Sequence, residues 1–264
     1  MVIGLFRKRP ATIDPIVRTL PEGQRVYAIG DIHGCLDLLD ELLRQIDADD
    51  AARGDAQTQL VFLGDVVDRG PDSAKVIDRL IELAEQRGHA RFIIGNHEEI
   101  FLRALGGDLE ALRLFVRVGG RETILSYGVS ERDYERTDYE ELLELIRAHV
   151  PQRHIDFLEA FEDRVEIGDY IFVHAGLRPG VPIEDQRRGD MRWIRASFLD
   201  SDWEFGKLVV HGHSISDTVV ERPNRLGIDT GAFATGRLTA LGLEGAERWT
   251  LTASAGEPMA AACG

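Results

Sequence analysis

The heptapeptide Gly64-Asp-Val-Val-Asp-Arg-Gly70, which directly follows the apolar run 60–63, constrains the fold more than any other stretch of the chain. A short β-branched and aromatic run that stops at Gly-Asp is typical of a buried strand that ends abruptly. In open α/β sheets, ligands bind in the crevice beyond the carboxyl ends of the strands. Asp65, Asp68 and Arg69 would lie there, which indicates a site for a charged ligand. Taken alone, a polar turn that caps the next helix explains the stretch as well.

The order strand, polar loop, helix recurs in the first part of the chain. Strands are predicted at 25–30, 59–63 and 91–94, and apolar residues at helical spacing follow the loops after the first two. This order is typical of βαβ units with right-handed crossovers, in which parallel strands bring their loops to one edge of the sheet. The stretch 47–59 is predicted to be a polar loop.

The pattern changes twice further along the chain. Helical periodicity dominates residues 99–162, and short strands with glycine-rich turns follow from Val165 onward. We therefore expect one domain at 25–252 with a helical insert at about 99–162. Residues 1–24 are predicted to be a surface segment and residues 253–264 a flexible tail.

Net charge indicates which partners the chain can bind, and cysteine content indicates the cellular compartment. The chain has 31 Lys and Arg residues against 46 Asp and Glu residues, a formal net charge of −15, which would repel nucleic-acid phosphates. Cys35 and Cys263 make no disulfide framework, which suits a reducing cytosol. Residues 1–10 lack the apolar core of a signal peptide. We expect a cytoplasmic protein with neither nucleic acid nor membrane as a partner.

Residues that can bind metals follow five predicted strands. They are Asp31 and His33, Asp65 and Asp68, Asn96 and His97, His174, and His213. Each alone has an ordinary explanation as a helix cap or a hydrogen-bonded histidine. Together, at strand ends on one edge of one sheet, they indicate a cation, because carboxylates and imidazoles would otherwise lie desolvated and unpaired. Oxygen and nitrogen ligands without thiolate favour Mn, Fe, Zn or Mg over a structural zinc site.

Five motifs, in order, resemble the signature of the phosphoprotein phosphatase family of metallophosphoesterases. They are Gly30-Asp-Ile-His-Gly34, Gly64-Asp-Val-Val-Asp-Arg-Gly70, Gly95-Asn-His-Glu98, His174-Ala-Gly176 and Gly212-His213. Trp193-Ile-Arg195 and Gly227-Ile-Asp-Thr-Gly231 resemble segments of its compact bacterial and phage members. The resemblance covers about residues 25–243. It implies a four-layer α/β fold, with a central β-sandwich flanked by helices and a dinuclear metal site at the carboxyl ends of strands.

The resemblance also implies a metal-ligand set. One ion would be held by Asp31, His33 and Asp65, and the second by Asp65, Asn96, His174 and His213. The Asp65 carboxylate would then bridge two divalent ions, which we expect to be Mn²⁺, with Fe or Zn as alternatives. Two such ions can activate a bridging hydroxide and stabilise the phosphoryl oxygens during in-line attack.

Four further side chains have roles implied by the resemblance. His97 would protonate the leaving oxygen, and Asp68 would orient its imidazole. Arg69 and Arg195 would bind phosphate oxygens, with Arg192 as an alternative to Arg195. His211 stands where eukaryotic members carry an arginine, so the resemblance gives it no role.

Three functions are compatible with these residues. The first is hydrolysis of phosphoserine, phosphothreonine or phosphotyrosine in proteins, with a phosphorylated protein or peptide as the partner. The alternative is a symmetrical hydrolase of dinucleoside polyphosphates such as diadenosine tetraphosphate, and the third is a non-catalytic scaffold. Dinucleotide-hydrolysing relatives typically carry Ala at the position of Asp68 and Asp at that of Glu98, which favours the protein phosphatase. The scaffold is disfavoured because every ligand position is retained.

Overall fold

Two five-stranded sheets form the centre of the protein in the computed structural model, which describes residues 17–255. The strands are β1 Gln24–Ile29, β2 Gln57–Phe62, β3 Ala90–Phe92, β4 Arg164–Ile167, β5 Tyr170–Val173, β6 Leu208–His211, β7 Val220–Arg222, β8 Arg225–Gly227, β9 Arg237–Glu244 and β10 Glu247–Ser254. The first sheet has the order β10-β9-β1-β2-β3 and the second β4-β5-β6-β8-β7. Strands β1 to β3 are parallel, as are β5, β6 and β8.

Helices connect the strands and cover the outer faces of both sheets. They are α1 Leu36–Arg53, α2 Ser73–Arg87, α3 Asn96–Leu105, α4 Leu109–Phe115, α5 Arg121–Ser126, α6 Glu131–Arg136, α7 Tyr139–His149, α8 Gln152–Glu159, α9 Arg188–Trp193, α10 Ala196–Leu199 and α11 Ala232–Thr235. A kinked segment, Val116–Gly120, in which Gly119 has a non-helical φ of 117°, joins α4 to α5. No helix within residues 17–255 is long and apolar enough to cross a membrane. Most of the predicted segments 1–24 and 253–264, including Cys263, lies outside the described residues.

Successive side chains of β1 belong to two different layers of the core. Val26 and Ala28 face the second sheet, whereas Tyr27 and Ile29 face the helices. Successive side chains of a strand point to opposite faces, so one strand can supply both layers. The outer face of the second sheet packs on α9 and α10 through residues such as Phe198. The order helix, sheet, sheet, helix confirms the predicted four-layer α/β fold with a central β-sandwich.

The first helix is longer than the sequence pattern indicated. Residues 47–53, predicted to be part of a loop, continue α1 to Arg53. Their carboxylates bind the first sheet: Asp49 accepts a hydrogen bond from the Tyr27 hydroxyl at 2.6 Å, and Asp50 pairs with the buried Arg25 at 2.6 Å. These contacts are tertiary, so a polar, non-periodic sequence can still be helical.

The residues that can bind metals follow strands of two sheets, not of one sheet as expected. Strands β1, β2 and β3 of the first sheet lead to Asp31, Asp65 and Asn96, whereas β5 and β6 of the second lead to His174 and His213. The two sheets pack face to face through an apolar core, so these strand ends meet at one end of the sandwich. The site therefore depends on packing between layers as well as on strand order.

Gly30 sits where the two sheets approach each other, just before Asp31. A Cβ atom there would lie 2.8 Å from the carbonyl oxygen of Ile228. We expect Gly30→Ala to lower the free energy of unfolding by about 1–3 kcal/mol, the usual cost of overpacking. Gly189→Ala is the matched control, because Gly189 is exposed in α9 with nothing within 4 Å of the added Cβ. Denaturant titration of both variants measures the effect, and equal stability of the two would contradict it.

Candidate metal centre

Backbone strain is concentrated at the carboxyl ends of the strands that lead to the predicted metal-binding residues. Within residues 17–255, five non-glycine residues have positive φ: His33 at 46°, Asp65 at 49°, Asp68 at 71°, Arg69 at 69° and His213 at 63°. This region is costly for residues with a Cβ, and such outliers persist only where the surrounding structure enforces them. All five are among the predicted site residues.

A buried glutamate enforces the conformation of the Asp65 loop. The Glu98 carboxylate accepts hydrogen bonds from the backbone N–H groups of Asp65 at 2.8 Å, Val66 at 2.8 Å and Gly95 at 2.9 Å. Burial, and then the neighbouring Asp65 charge, raise the pKa of Glu98 to about 7. Sequence reasoning used Glu98 only to separate substrate classes. Its position three residues after Gly95, at the start of a helix, is that of a capping-box glutamate, which was the available signal.

Backbone carbonyls fix the orientation of two histidines. Nδ1 of His33 lies 2.8 Å from the carbonyl oxygen of Val67, and Nδ1 of His174 lies 2.8 Å from that of Leu63. Each Nδ1 must carry the proton, because a carbonyl oxygen can only accept. Each Nε2 is then left with a lone pair for the centre, as in histidines that bind metals. Nε2 of His213 is buried without a hydrogen-bond partner in the described chain.

Two groups of potential ligands share Asp65. His33, Asp65 and His97 form one group, and Asp65, His174 and His213 form the other, with the ligand atoms of each group within 4.8 Å of one another. These lone pairs around a shared carboxylate fit a pair of divalent cations. Asn96, predicted for the second group, lies beside it, with Oδ1 3.0 Å from Nε2 of His174.

Asp31, a predicted ligand, belongs to neither of these two groups. Its carboxylate accepts the backbone N–H of His213 at 3.0 Å, which joins the two sheets at the site. Burial, and then the charge of Asp229, raise the pKa of Asp31. Asp229 is a buried carboxyl that sequence reasoning did not assign, although it stands within the noted motif Gly227–Gly231. Burial raises its pKa to about 6.

The electrostatics of the centre favour a cation. Burial lowers the pKa of His33 to about 3 and that of His213 to about 2, so both imidazoles are neutral ligands at neutral pH. Burial acts to raise the pKa of Asp65, but four surrounding histidines, first among them His174, hold it below the usual range. Neutral histidines around an ionised aspartate are the protonation states that metal binding requires.

His97 and Asp68 form a buried pair. Nδ1–H of His97 donates to Oδ2 of Asp68 at 2.6 Å, and the Thr123 hydroxyl donates to the other oxygen of Asp68 at 2.7 Å. Burial acts to lower the pKa of His97, but the charges of Asp65 and Asp68 raise it. Thr123 belongs to α5, in a part of the chain for which the sequence predicted only helices, so no motif pointed to it.

Arg69 lies over the first group. Its Nη1 donates to Nε2 of His33 at 2.9 Å and its Nη2 to Nε2 of His97 at 3.0 Å. Its guanidinium also lies 4.6 Å from the ring centroid of Phe233, which in turn packs edge-to-face on His33 at 5.2 Å. The carbonyl of Gly119 accepts the Arg69 backbone N–H at 3.0 Å. Two of its N–H groups thus point to imidazole nitrogens of the first ligand group.

The other two predicted arginines differ in their environment. Arg192 is held by Asp163, with Nη2 2.6 Å from Oδ1. Arg195 is exposed at the start of α10 and has no ion-pair partner within residues 17–255. Burial is the largest cause that lowers the pKa values of His174 and His213, and the charge of Arg195 also lowers them. Of these two arginines, Arg195 is therefore the one whose side chain can turn towards a bound molecule.

His211 belongs to neither ligand group. It is buried at the end of β6, where its ring packs edge-to-face on Phe198 at 5.1 Å. Burial lowers its pKa to about 4. This histidine is a packing residue of the second sheet and its helical layer.

Relatives of known name match most of the chain. An asymmetrical bis(5'-nucleosyl)-tetraphosphatase PrpE from Anoxybacillus flavithermus is 29% identical over 240 residues, which cover 81% of this chain and 88% of the relative. A protein of the same name from Geobacillus thermodenitrificans is 30% identical, with the same shares covered. A symmetrical bis(5'-nucleosyl)-tetraphosphatase from Acidovorax sp. is 31% identical over 154 residues, which cover 58% of this chain and 44% of the relative.

Two solved structures share the fold at low identity. One, provisionally described as a diadenosine tetraphosphatase, has a TM-score of 0.62 and 22% identity, covering 90% of this chain and 97% of that one. The other, a protein serine/threonine phosphatase from Saccharomyces cerevisiae, has a TM-score of 0.52 and 14% identity, covering 90% and 82%. Likeness at this level shows the fold alone.

The expectation of a protein phosphatase with a phosphorylated protein or peptide as substrate is wrong. The relatives that match most of the chain are named as dinucleoside tetraphosphatases. Asp68 and Glu98, which favoured the phosphatase, both have structural partners in this fold. Glu98 binds the backbone of the Asp65 loop, and Asp68 binds Thr123 as well as His97.

The family itself is shown by a direct match. The family model for calcineurin-like phosphoesterases matches residues 24–231, which include all the predicted metal-ligating residues. The match agrees with the two-sheet fold and with the histidine and aspartate groups at its strand ends. This chain belongs to the calcineurin-like phosphoesterase family.

Proposed function

We propose that the protein hydrolyses dinucleoside tetraphosphates, such as diadenosine tetraphosphate, in the asymmetrical mode. The observation that carries this proposal is that relatives matching 88% of their own length are asymmetrical tetraphosphatases, whereas a symmetrical one is matched over 44%. The site supports the same chemistry. Two potential metal groups share Asp65, and His97 of the first group is paired with Asp68 and contacted by the Arg69 guanidinium.

Metal binding is part of this proposal. We infer that Asp31, His33 and Asp65 would hold one divalent ion, and that the second would be held by Asp65, Asn96, His174 and His213. Bound there, two ions would activate water and neutralise phosphoryl charge. Mn²⁺ is the ion we propose, since it accepts both carboxylate and imidazole ligands.

The remaining groups of the site would act on the phosphates. Arg69 would donate N–H groups to phosphate oxygens in place of its contacts with His33 and His97, and Arg195 would approach from the second sheet. His97, protonated at Nε2, would give its proton to the leaving phosphate oxygen. Asp68 would hold the imidazole and stabilise its charge.

The substrate is tested with purified, Mn-loaded protein. We expect a higher kcat/KM for diadenosine tetraphosphate than for a phosphoserine peptide. Asymmetrical cleavage should give AMP and ATP, which chromatography separates from the two ADP molecules of symmetrical cleavage. A higher kcat/KM for the phosphopeptide would overturn the proposal, and ADP as the only product would overturn the asymmetrical mode.

Removal of the shared carboxylate charge tests the metal ligands. We expect the wild-type protein to bind two Mn²⁺ ions, and Asp65→Asn to weaken both sites by about tenfold or more, because both groups contain this residue. Asp55→Asn is the control, since Asp55 is exposed in the loop before β2. Elemental analysis after dialysis measures the ions. An active enzyme that holds a single ion would contradict the ligand set.

His97→Asn separates chemistry from metal binding. We expect both ions to stay bound while kcat for diadenosine tetraphosphate falls about 100-fold, the lower end of general acid catalysis, because a leaving phosphate is a weak base. His89→Asn is the control, since His89 is exposed just before β3. Kinetics and elemental analysis are measured on the same samples. Loss of metal with normal turnover per loaded site would make His97 a ligand instead.

A further inference from the structure

A cleft opens beside the metal centre, on the side of Arg69. Its volume is about 600 Å³, within the range of roughly 300–1,000 Å³ that is usual for small-molecule sites. It lies between the start of α1, the turn 70–72, helix α11 and the end of β10. Except for Arg69, the walls of this cleft are formed by residues to which the site described above assigns no catalytic or metal-binding part.

Phe233 is an aromatic residue in the lining of this cleft. Its side chain is 38% exposed, which is unusual for phenylalanine, and it is one of six large hydrophobic residues that are exposed in the described part of the chain. The ring is fixed by Arg69, at 4.6 Å from its centroid, and by His33, at 5.2 Å. An exposed aromatic ring held between two site residues can stack with a planar group of the substrate at little entropic cost.

The charges of the cleft disfavour phosphate as its occupant. Three carboxylates, those of Asp37, Glu41 and Asp72, line it together with the guanidinium of Arg69. Glu41 is paired with Arg44 and Asp72 with Lys75, whereas Asp37 has no ion-pair partner within residues 17–255. Asp37 already lies in the first turn of α1, where an anion would otherwise be attracted. Carboxylates can instead accept hydrogen bonds from amino and hydroxyl groups. This arrangement suits an uncharged, planar group with donor atoms, attached to a phosphate at Arg69.

We propose that the cleft binds one nucleoside of the substrate, with the base stacked on Phe233 and the adjoining phosphate at Arg69. This inference rests on the proposed function, since a dinucleoside tetraphosphate supplies a base next to its phosphates. A single cleft beside the centre places the reacting phosphate at a set distance from one nucleoside. It therefore would determine which phosphate along the polyphosphate chain reaches the centre.

The test compares two ligands that cannot be hydrolysed at their bridge. Binding of α,β-methylene-ADP and of the monomethyl ester of methylenediphosphonate, which has the same ionisable groups on its phosphonates, is measured on Mn-loaded protein by calorimetry, and the ratio of the two affinities isolates the nucleoside. We expect the nucleotide analogue to bind roughly tenfold or more tightly, as base stacking on an aromatic ring provides. Effects on metal or phosphate binding are common to both ligands and cancel in the ratio.

Three variants test whether the Phe233 ring is the group that stacks with the base. Phe233→Leu, which keeps an apolar side chain and removes the aromatic face, should bring the ratio close to one, whereas Phe233→Tyr should retain it. Tyr139→Leu is the matched control, because Tyr139 has the same 38% exposure in α7 and should leave the ratio unchanged. A ratio near one in the wild type, or an unchanged ratio in Phe233→Leu, would overturn the subsite. If the ratios behave as expected but diadenosine tetraphosphate is not hydrolysed, the subsite stands and the proposed function fails.

Discussion

The carboxylate of Glu98 holds the ends of two neighbouring strands together, and the geometry of the centre depends on it. Its two oxygens accept N–H groups from the loop after β2 and from the start of α3. Asp65 is thereby kept at positive φ, with its side chain among the histidines. A buried carboxylate is costly to desolvate, so its hydrogen bonds to several backbone donors offset much of that cost.

The sequence was most informative where a residue's position follows from strand direction. Asp31, Asp65 and Asn96 could be expected together because β1, β2 and β3 are parallel and end at one edge. That His174 and His213 come from a second sheet depends on how two apolar faces pack, which periodicity does not specify. Thr123 could not be found either, because it reaches Asp68 through a tertiary contact across 55 residues of chain.

The error about the substrate has a physical origin. The motif residues are those that would act on a reacting phosphoryl group, and both a phosphoprotein and a dinucleotide contain one. What distinguishes the two substrates lies further from phosphorus and would be bound largely by other residues. The cleft next to Arg69 touches two motifs at Gly34 and Gly70, but the rest of its lining comes from α1, the turn 71–72, α11 and the end of β10, which lie outside the five motifs.

The hydrogen bond from the His213 backbone to Asp31 crosses from one sheet to the other. Because ligand groups lie on both sheets, a pair of cations at Asp65 would hold the two layers together. Metal affinity and global stability are then thermodynamically linked, because ions that bind only the assembled sandwich shift unfolding by mass action. The apolar interface beneath the centre would then set the spacing of the metal ligands, and the chain's tolerance of core substitutions would rise with the supply of metal.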